Sequence, residues 1–364
     1  MLTLLREERF LLLALLAAVI AYVAEGSLLS SGRVIALISV GALVLMIVMA
    51  SIRVAHHAEI LAEKVGDPYG TMILTLSAVL VEVVILGIMM SHEPSPTLVR
   101  DTIYAAVMLD LNGILGLAAL MGGLRHGEQA YNDDSARTYS VMILTAMGVS
   151  MVVPEFIPRE DWRLYSGFTI GAMLLLYGVF LRMQVGAHSY FFSYSYPEKK
   201  RRRKGQPETA HAPSSRGRSI AMLCAGVVLI GALAEVMSQT LSVGLKGSGA
   251  PPMLAALLVA TISASPEILT ALRAAMANRM QSVVNIALGA SLSTVILTVP
   301  VMEALALYSG QPFQMAMTPV QTVMVFITLI VAAINLNDGE TNAIEGMTHF
   351  VLFATFIMLS LIGL

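Results

Sequence analysis

Leu257-Leu258-Val259-Ala260-Thr261-Ile262-Ser263-Ala264-Ser265-Pro266-Glu267-Ile268-Leu269 is an apolar run with a carboxylate in it, and it has a counterpart early in the chain. The counterpart, Thr71-Met72-Ile73-Leu74-Thr75-Leu76-Ser77-Ala78-Val79-Leu80-Val81-Glu82-Val83-Val84-Ile85-Leu86-Gly87, carries Glu82. With their flanks, both runs reach the roughly 20 apolar residues that a helix needs to cross a bilayer. A carboxylate at the hydrocarbon centre costs about 2.5–3.5 kcal/mol on insertion scales and is usually kept there to handle an ion or a proton. One such residue in each half of the chain implies a site built where two repeats meet, which is the architecture of secondary transporters.

Outward from these runs the chain stays apolar. Of 364 residues, 57% are hydrophobic and 13% charged, with mean hydropathy +0.77, more apolar surface than a soluble domain of this length buries. The first run continues to Ala24 and is followed by many others, which argues against a cleavable signal peptide. A single cysteine, Cys224, excludes an internal disulfide framework and any CxxC site.

Runs of spanning length fall near 10–28, 34–55, 69–90, 98–122, 138–154, 163–184, 218–242, 251–275, 281–308, 316–335 and 344–364. The expected fold is an all-α polytopic membrane protein of eleven transmembrane helices. Its one long polar insertion, Ala187 to Arg218, holds Lys199-Lys200-Arg201-Arg202-Arg203-Lys204 followed by Pro, Ser and Gly, and reads as a flexible linker. With the N-terminus in the cytoplasm, 17 of the 22 Lys and Arg fall inside, nine of them between Arg182 and Arg218, and five fall outside. The positive-inside rule therefore predicts a cytoplasmic N-terminus and linker and an external C-terminus. A basic stretch beside a span marks topology and touches anionic lipid; no nucleic-acid partner is expected.

The two halves share a pattern. Ala58-Glu59-Ile60-Leu61 and Ala234-Glu235-Val236-Met237 each precede a glycine-containing turn, Val65-Gly66 or Val243-Gly244, and then the helix with the deep glutamate. The next helix is rich in small and polar residues in both halves: Asp110-Leu111-Asn112-Gly113-Ile114-Leu115-Gly116, and Gly289-Ala290-Ser291-Leu292-Ser293-Thr294 before Pro300. Eleven helices thus divide as one plus five plus five: a first helix in 1–33, a first repeat in 34–186, the basic cytoplasmic linker in 187–217 and a second repeat in 218–364. Five is odd, so consecutive repeats are inverted, and their shared site lies at the midplane.

His57-Ala58-Glu59, Leu61-Ala62 and Val65-Gly66-Asp67-Pro68-Tyr69-Gly70, followed by a helix with Glu82, resemble the first α-repeat of the calcium/cation antiporter superfamily in its cation:proton exchanger branch. Leu120-Met121-Gly122-Gly123-Leu124-Arg125-His126-Gly127-Glu128-Gln129 resembles that branch's signature. Ser265-Pro266-Glu267 and Asn285-Ile286-Ala287-Leu288-Gly289-Ala290-Ser291 resemble the second α-repeat. The resemblance covers nearly the whole chain and implies eleven helices, alternating access and paired glutamates that bind cation or protons. This chain departs from it in three places. Ala78-Val79 and Ser263-Ala264 stand where the family usually has Gly-Asn before each glutamate, Asp110 aligns with a usual asparagine, and the linker is basic rather than acidic.

Calcium takes 6–8 oxygens at about 2.3–2.6 Å, which two carboxylates cannot supply alone. Thr75, Ser77, Ser263, Ser265, Ser291 and Ser293 are candidate supplements, and Asp110 is a third acidic candidate for cation or proton, otherwise paired with Asn112. Ser291 and Ser293 also suit close helix packing. Pro266 frees backbone carbonyls beside Glu267. Glu59 and Glu235 lie nearer helix ends and are gating candidates; Glu303, late in its helix, is expected at the interface. Glu82 and Glu267 are thus the expected metal and proton ligands. Ionised they attract a cation and protonated they do not, so protons and Ca2+, Na+ or K+ compete for the same oxygens, and exchange follows without a cofactor. A cation channel or an intramembrane enzyme are the alternatives. For the enzyme, His57-Ala58-Glu59 is not HExxH, and neither a Gly-x-Ser-x-Gly elbow nor a phosphate loop occurs.

Overall fold

In hydrocarbon every backbone N–H and C=O must find its partner within the chain, and an apolar run meets that demand by coiling into a helix. The computed structural model describes residues 8–65, 69–92, 95–185, 216–311 and 313–364. Gly66-Asp67-Pro68, part of the expected turn, and the 186–215 part of the expected linker, including its basic run, lie outside them. In the first half, the helices are α1 (Arg9–Ser30), α2 (Arg33–Val65), α3 (Tyr69–His92), α4 (Leu98–Met108), α5 (Leu115–His126), α6 (Asp133–Met147) and α7 (Trp162–Val185). After the linker come α8 (Arg216–Leu245), α9 (Met253–Ser263), α10 (Ser265–Met276), α11 (Met280–Ser293), α12 (Val299–Ser309), α13 (Pro319–Asn335) and α14 (Ala343–Ile362). The strands among the described residues are β1 (Gln129–Ala130) and β2 (Glu340–Thr341), an antiparallel clip between two loops.

By length and composition, nine helical stretches among the described residues are able to cross a membrane, and the bent pair α9–α10 makes a tenth. The chain is a multi-pass, all-helical membrane protein. The run expected at 316–335 folds as α13, 17 residues long. At 1.5 Å per residue it covers about 26 Å, just under a bilayer core of about 30 Å.

Three departures from straight α-helix matter. The span expected at 251–275 breaks at Ala264, and its two halves meet at 58°. Pro266 is the cause: it has no N–H for the carbonyl of Ile262, and its ring crowds that carbonyl. The hydroxyl of Ser265 donates to the Ile262 oxygen instead, at 2.8 Å. The other two departures are wide π-turns, Leu109–Ile114 between α4 and α5 (the first π-turn) and Thr294–Thr298 between α11 and α12 (the second), a feature found frequently at functional sites; one more, Gly148–Val152, follows α6.

α1, α2 and α8 pack together, and α2 and α8 pack against α3; α9–α10 run along α4–α5; α6 and α7 cover α11–α12. α5 and α14 approach closely enough that a Cβ on Gly116 would stand 2.8 Å from the His349 Cβ and 2.9 Å from the Phe350 nitrogen. Small residues permit that approach where water supplies no drive for helices to associate. The chain reverses at each loop, so the ends of α2, α5, α7 and α10 and the starts of α3, α6, α8 and α11 share the linker end of the bundle.

Candidate ion-binding site

A cavity of about 280 Å³ enters from the linker end. Exposed Glu59 on α2 stands at its mouth, and its walls carry Gln184 at the end of α7, Tyr139, Tyr177 and Asn285. Deeper in, it is lined by Thr75, Ser77, Ser263, Ser293 and Glu267. Five of the sequence-predicted binding candidates therefore line one cavity, with the gating candidate Glu59 nearer its entrance. The hydroxyls of Ser77, Ser263 and Ser293 donate to carbonyls of their own helices, Ile73 at 2.7 Å, Ala260 at 3.1 Å and Ala290 at 2.8 Å. Spending the proton that way leaves each oxygen's lone pairs for a cation.

Glu267 occupies the first turn of α10, because the chain restarts a helix at Ser265. A negative charge there faces the positive end of the helix dipole. Glu82 is placed otherwise. It sits mid-helix on α3, 4% exposed, and its Oε2 accepts hydrogen bonds from Thr298 at 2.7 Å and Thr294 at 3.1 Å. Asp110, in the first π-turn and 2% exposed, accepts from the Ser291 hydroxyl at 3.1 Å. Glu82, Asp110 and Glu267 lie near enough to feel one another's charge, and each keeps one carboxylate oxygen without a donor. Among the described residues, no three acidic, histidine or cysteine side chains converge tightly enough to hold a metal ion together.

Other expected residues fall elsewhere. Ser265 is occupied in the helix break and does not line the cavity. The two gating candidates stand at opposite ends: Glu59 at the linker end, 3.9 Å from His56, and Glu235 toward the other end, where it accepts from the Tyr22 hydroxyl at 2.6 Å and lies 3.9 Å from His92. One expectation is refined and one corrected. Glu303 lies late in its span but does not face water: it is 2% exposed and bonded to Ser166 of α7. Asp110 is not paired with Asn112, because two residues along the turn the side chains leave on different faces; Asn112 bonds Thr328 and His349. The sequence reading missed Thr294 and Thr298. Their signal was present in two hydroxyls about one turn apart within the apolar Thr294-Val295-Ile296-Leu297-Thr298.

The family model described as sodium/calcium exchanger protein matches the chain over residues 34–186 and 218–362. Over 357 residues the chain is 31% identical to y4hA of Sinorhizobium fredii, covering 96% of this chain and 95% of that protein. It is 30% identical over 314 residues to the sodium-potassium/proton antiporter ChaA of Escherichia coli, covering 86% of each. In three dimensions it is similar to the solved structure of native YfkE, with TM-score 0.76 and 17% identity over 97% of this chain and 99% of that one.

Proposed function

The chain belongs to the sodium/calcium exchanger family, and from that premise we propose that it is a secondary active cation:proton antiporter with Glu82 and Glu267 as its shared site. The observation that carries this reading is the bare oxygen on each of three mutually interacting carboxylates, of which Glu267 lines the cavity while Glu82 and Asp110 are buried. A cation arriving from the linker end meets Glu267 and the hydroxyls of Ser77, Ser263 and Ser293, and Glu82 and Asp110 complete its charge balance. A proton on the same oxygens removes the attraction. Cation and proton therefore occupy the site in turn, and the site exchanges one for the other.

Alternating access requires the two carboxylates to change exposure. In this conformation the path is open at the linker end. At the opposite end Thr294 and Thr298 close over Glu82. With the linker in the cytoplasm, as the positive charges imply, this is the inward-open state. Two inverted five-helix units, 34–186 and 218–364, would supply the second state by rocking against each other. The separate match of the family model to each half supports that division, and α13 would be the eleventh helix.

The cargo we infer is Na+ or K+ ahead of Ca2+. Val79 and Ala264 offer no side-chain oxygen, the carboxylates do not converge into a divalent cage, and a relative of similar length is named as a sodium-potassium/proton antiporter. The test is proton flux in inside-out vesicles with Na+, K+ and Ca2+ added in turn. Alkali cations should collapse a preformed proton gradient at millimolar concentrations. Cation movement with no proton counter-movement would mean a channel and would overturn the proposal.

A further inference from the structure

The first π-turn presents Asp110 toward α11 and Asn112 toward α13 and α14, and the Asn112 side belongs to a second polar network. Asn112 is fully buried; its Nδ2 donates to the Thr328 hydroxyl of α13 at 2.8 Å, and its Oδ1 lies 3.0 Å from Nδ1 of His349 on α14. The sulfur of Met108 is 3.6 Å from the Thr328 hydroxyl, which donates to it. Because the amide nitrogen is spent on Thr328, the amide oxygen has to be the acceptor toward the histidine. Nδ1 of His349 therefore carries the proton, a tautomer assigned from its partners. Nε2 of the same ring is buried and has no partner.

Polar groups at this depth are costly to desolvate and are kept when they bond one another. A π-turn also has a locally disturbed backbone ladder, so side-chain bonds decide where its residues point. His349 is well placed to supply one. It stands opposite Gly116, where α14 rests almost directly on the backbone of α5, so the imidazole has little freedom to follow a shifting turn.

We propose that His349 is a positioning residue for ion exchange: through Asn112 it fixes the π-turn and so aims the Asp110 carboxylate at Ser291 and the glutamate pair. The inference rests on the reading that Asp110 belongs to the ion path. His349 touches no cation; it sets the geometry of a group that does. A mobile Asp110 weakens cation capture more than it slows turnover, because the ligand must be ordered anew for each ion.

The test uses the full-length protein in proteoliposomes, with Na+-, K+- and Ca2+-dependent proton flux. For variants too slow to assay, calorimetric titration with the same cations replaces flux. His349→Ala should raise the half-saturating cation concentration about tenfold, the size expected for losing one buried hydrogen bond next to a charge, with a smaller change in maximal rate. His349→Asn, whose amide nitrogen overlays Nδ1, should recover most of the loss. In the Asp110→Asn background His349→Ala should add little, since residues acting through one group are non-additive. An unchanged half-saturation in His349→Ala, or a full effect persisting in Asp110→Asn, would overturn the proposal. If His349→Ala does not fold, Thr328→Val carries the same two comparisons from the other end of the network. Should Asp110→Asn exchange like wild type, the site reading of Asp110 falls, and this inference with it. Impaired Asp110→Asn beside normal His349→Ala removes the positioning role alone.

Discussion

Glu82 and Glu267 are expected, from the sequence pattern, to correspond across the two halves, yet the structure treats them oppositely. Glu82 lies in an unbroken helix, sealed, with two threonine hydroxyls on one oxygen. Glu267 lies one turn past a break, at a helix start, and faces the cavity. The difference is local in cause. A proline one residue before Glu267 breaks its helix, whereas Val81 stands at that place before Glu82. One carboxylate is held by donated hydrogen bonds and the other by a helix dipole and open space. Under the proposed shared site, a pair with unequal access would let one member receive an ion while the other holds its charge in reserve.

The comparison breaks most visibly if either acid is dispensable. Glu82→Gln and Glu267→Gln keep shape and lose charge and titration, and each should reduce cation-driven proton flux to that of empty vesicles while the protein still inserts. Exchange near the wild-type rate in either variant would sink the shared site.

Access is the next point of attack. In a Cys224→Ala background, Ser263→Cys should react within minutes with a small thiol reagent supplied from the linker end, and Thr294→Cys should resist it. Equal labelling would show that Glu82 is not sealed.

Smaller effects probe how each charge is held. Hydrogen bonds to charged groups contribute about 1.5–3 kcal/mol, so Thr298→Val should shift the half-saturating cation concentration by about tenfold or more. Thr294→Val, with the longer bond, should shift it less. The direction reports whether the threonines hold the ionised glutamate for the cation or tie it up against the cation; no shift in either variant would mean that the seal is incidental.

The smallest change expected is in selectivity. Val79→Asn with Ala264→Asn adds two amide oxygens, which favours the cation wanting more ligands. The ratio of Ca2+- to Na+-driven flux should rise a few-fold, limited by the tight packing around both positions, which are 7% and 8% exposed. A native protein that moves protons with submicromolar Ca2+ and ignores Na+ and K+ would reverse the assignment of cargo.

Much of this arrangement was legible in the residues. Glu82 and Glu267 stood out because a charge amid some twenty apolar residues has few explanations, and Pro266 announced a disturbance because it lacks a donor. Thr294 and Thr298 were not legible as Glu82's partners. A threonine in a membrane helix bonds its own backbone in the default case, as Thr240 does with Val236 at 2.7 Å, and only the packing of α3 against the second π-turn turns the hydroxyls toward a carboxylate. The burial of Glu303 was not legible for a related reason: position along a helix gives depth but not what covers the side chain, and α7 covers this one.

The sequence by itself determined the membrane class, most helix positions to within a few residues (α2 runs to Val65, ten residues past its expected end), and the two carboxylates amid apolar runs, because hydropathy and the cost of burying charge act locally along the chain. The π-turns, the 58° break angle, the partition of hydroxyls between Glu82 and the cavity, and the tie from Asn112 to His349 were decided only in three dimensions. Each depends on which helix faces which across residues far apart in sequence, and a hydrogen bond of about 3 Å is satisfied or lost by shifts that no linear pattern records.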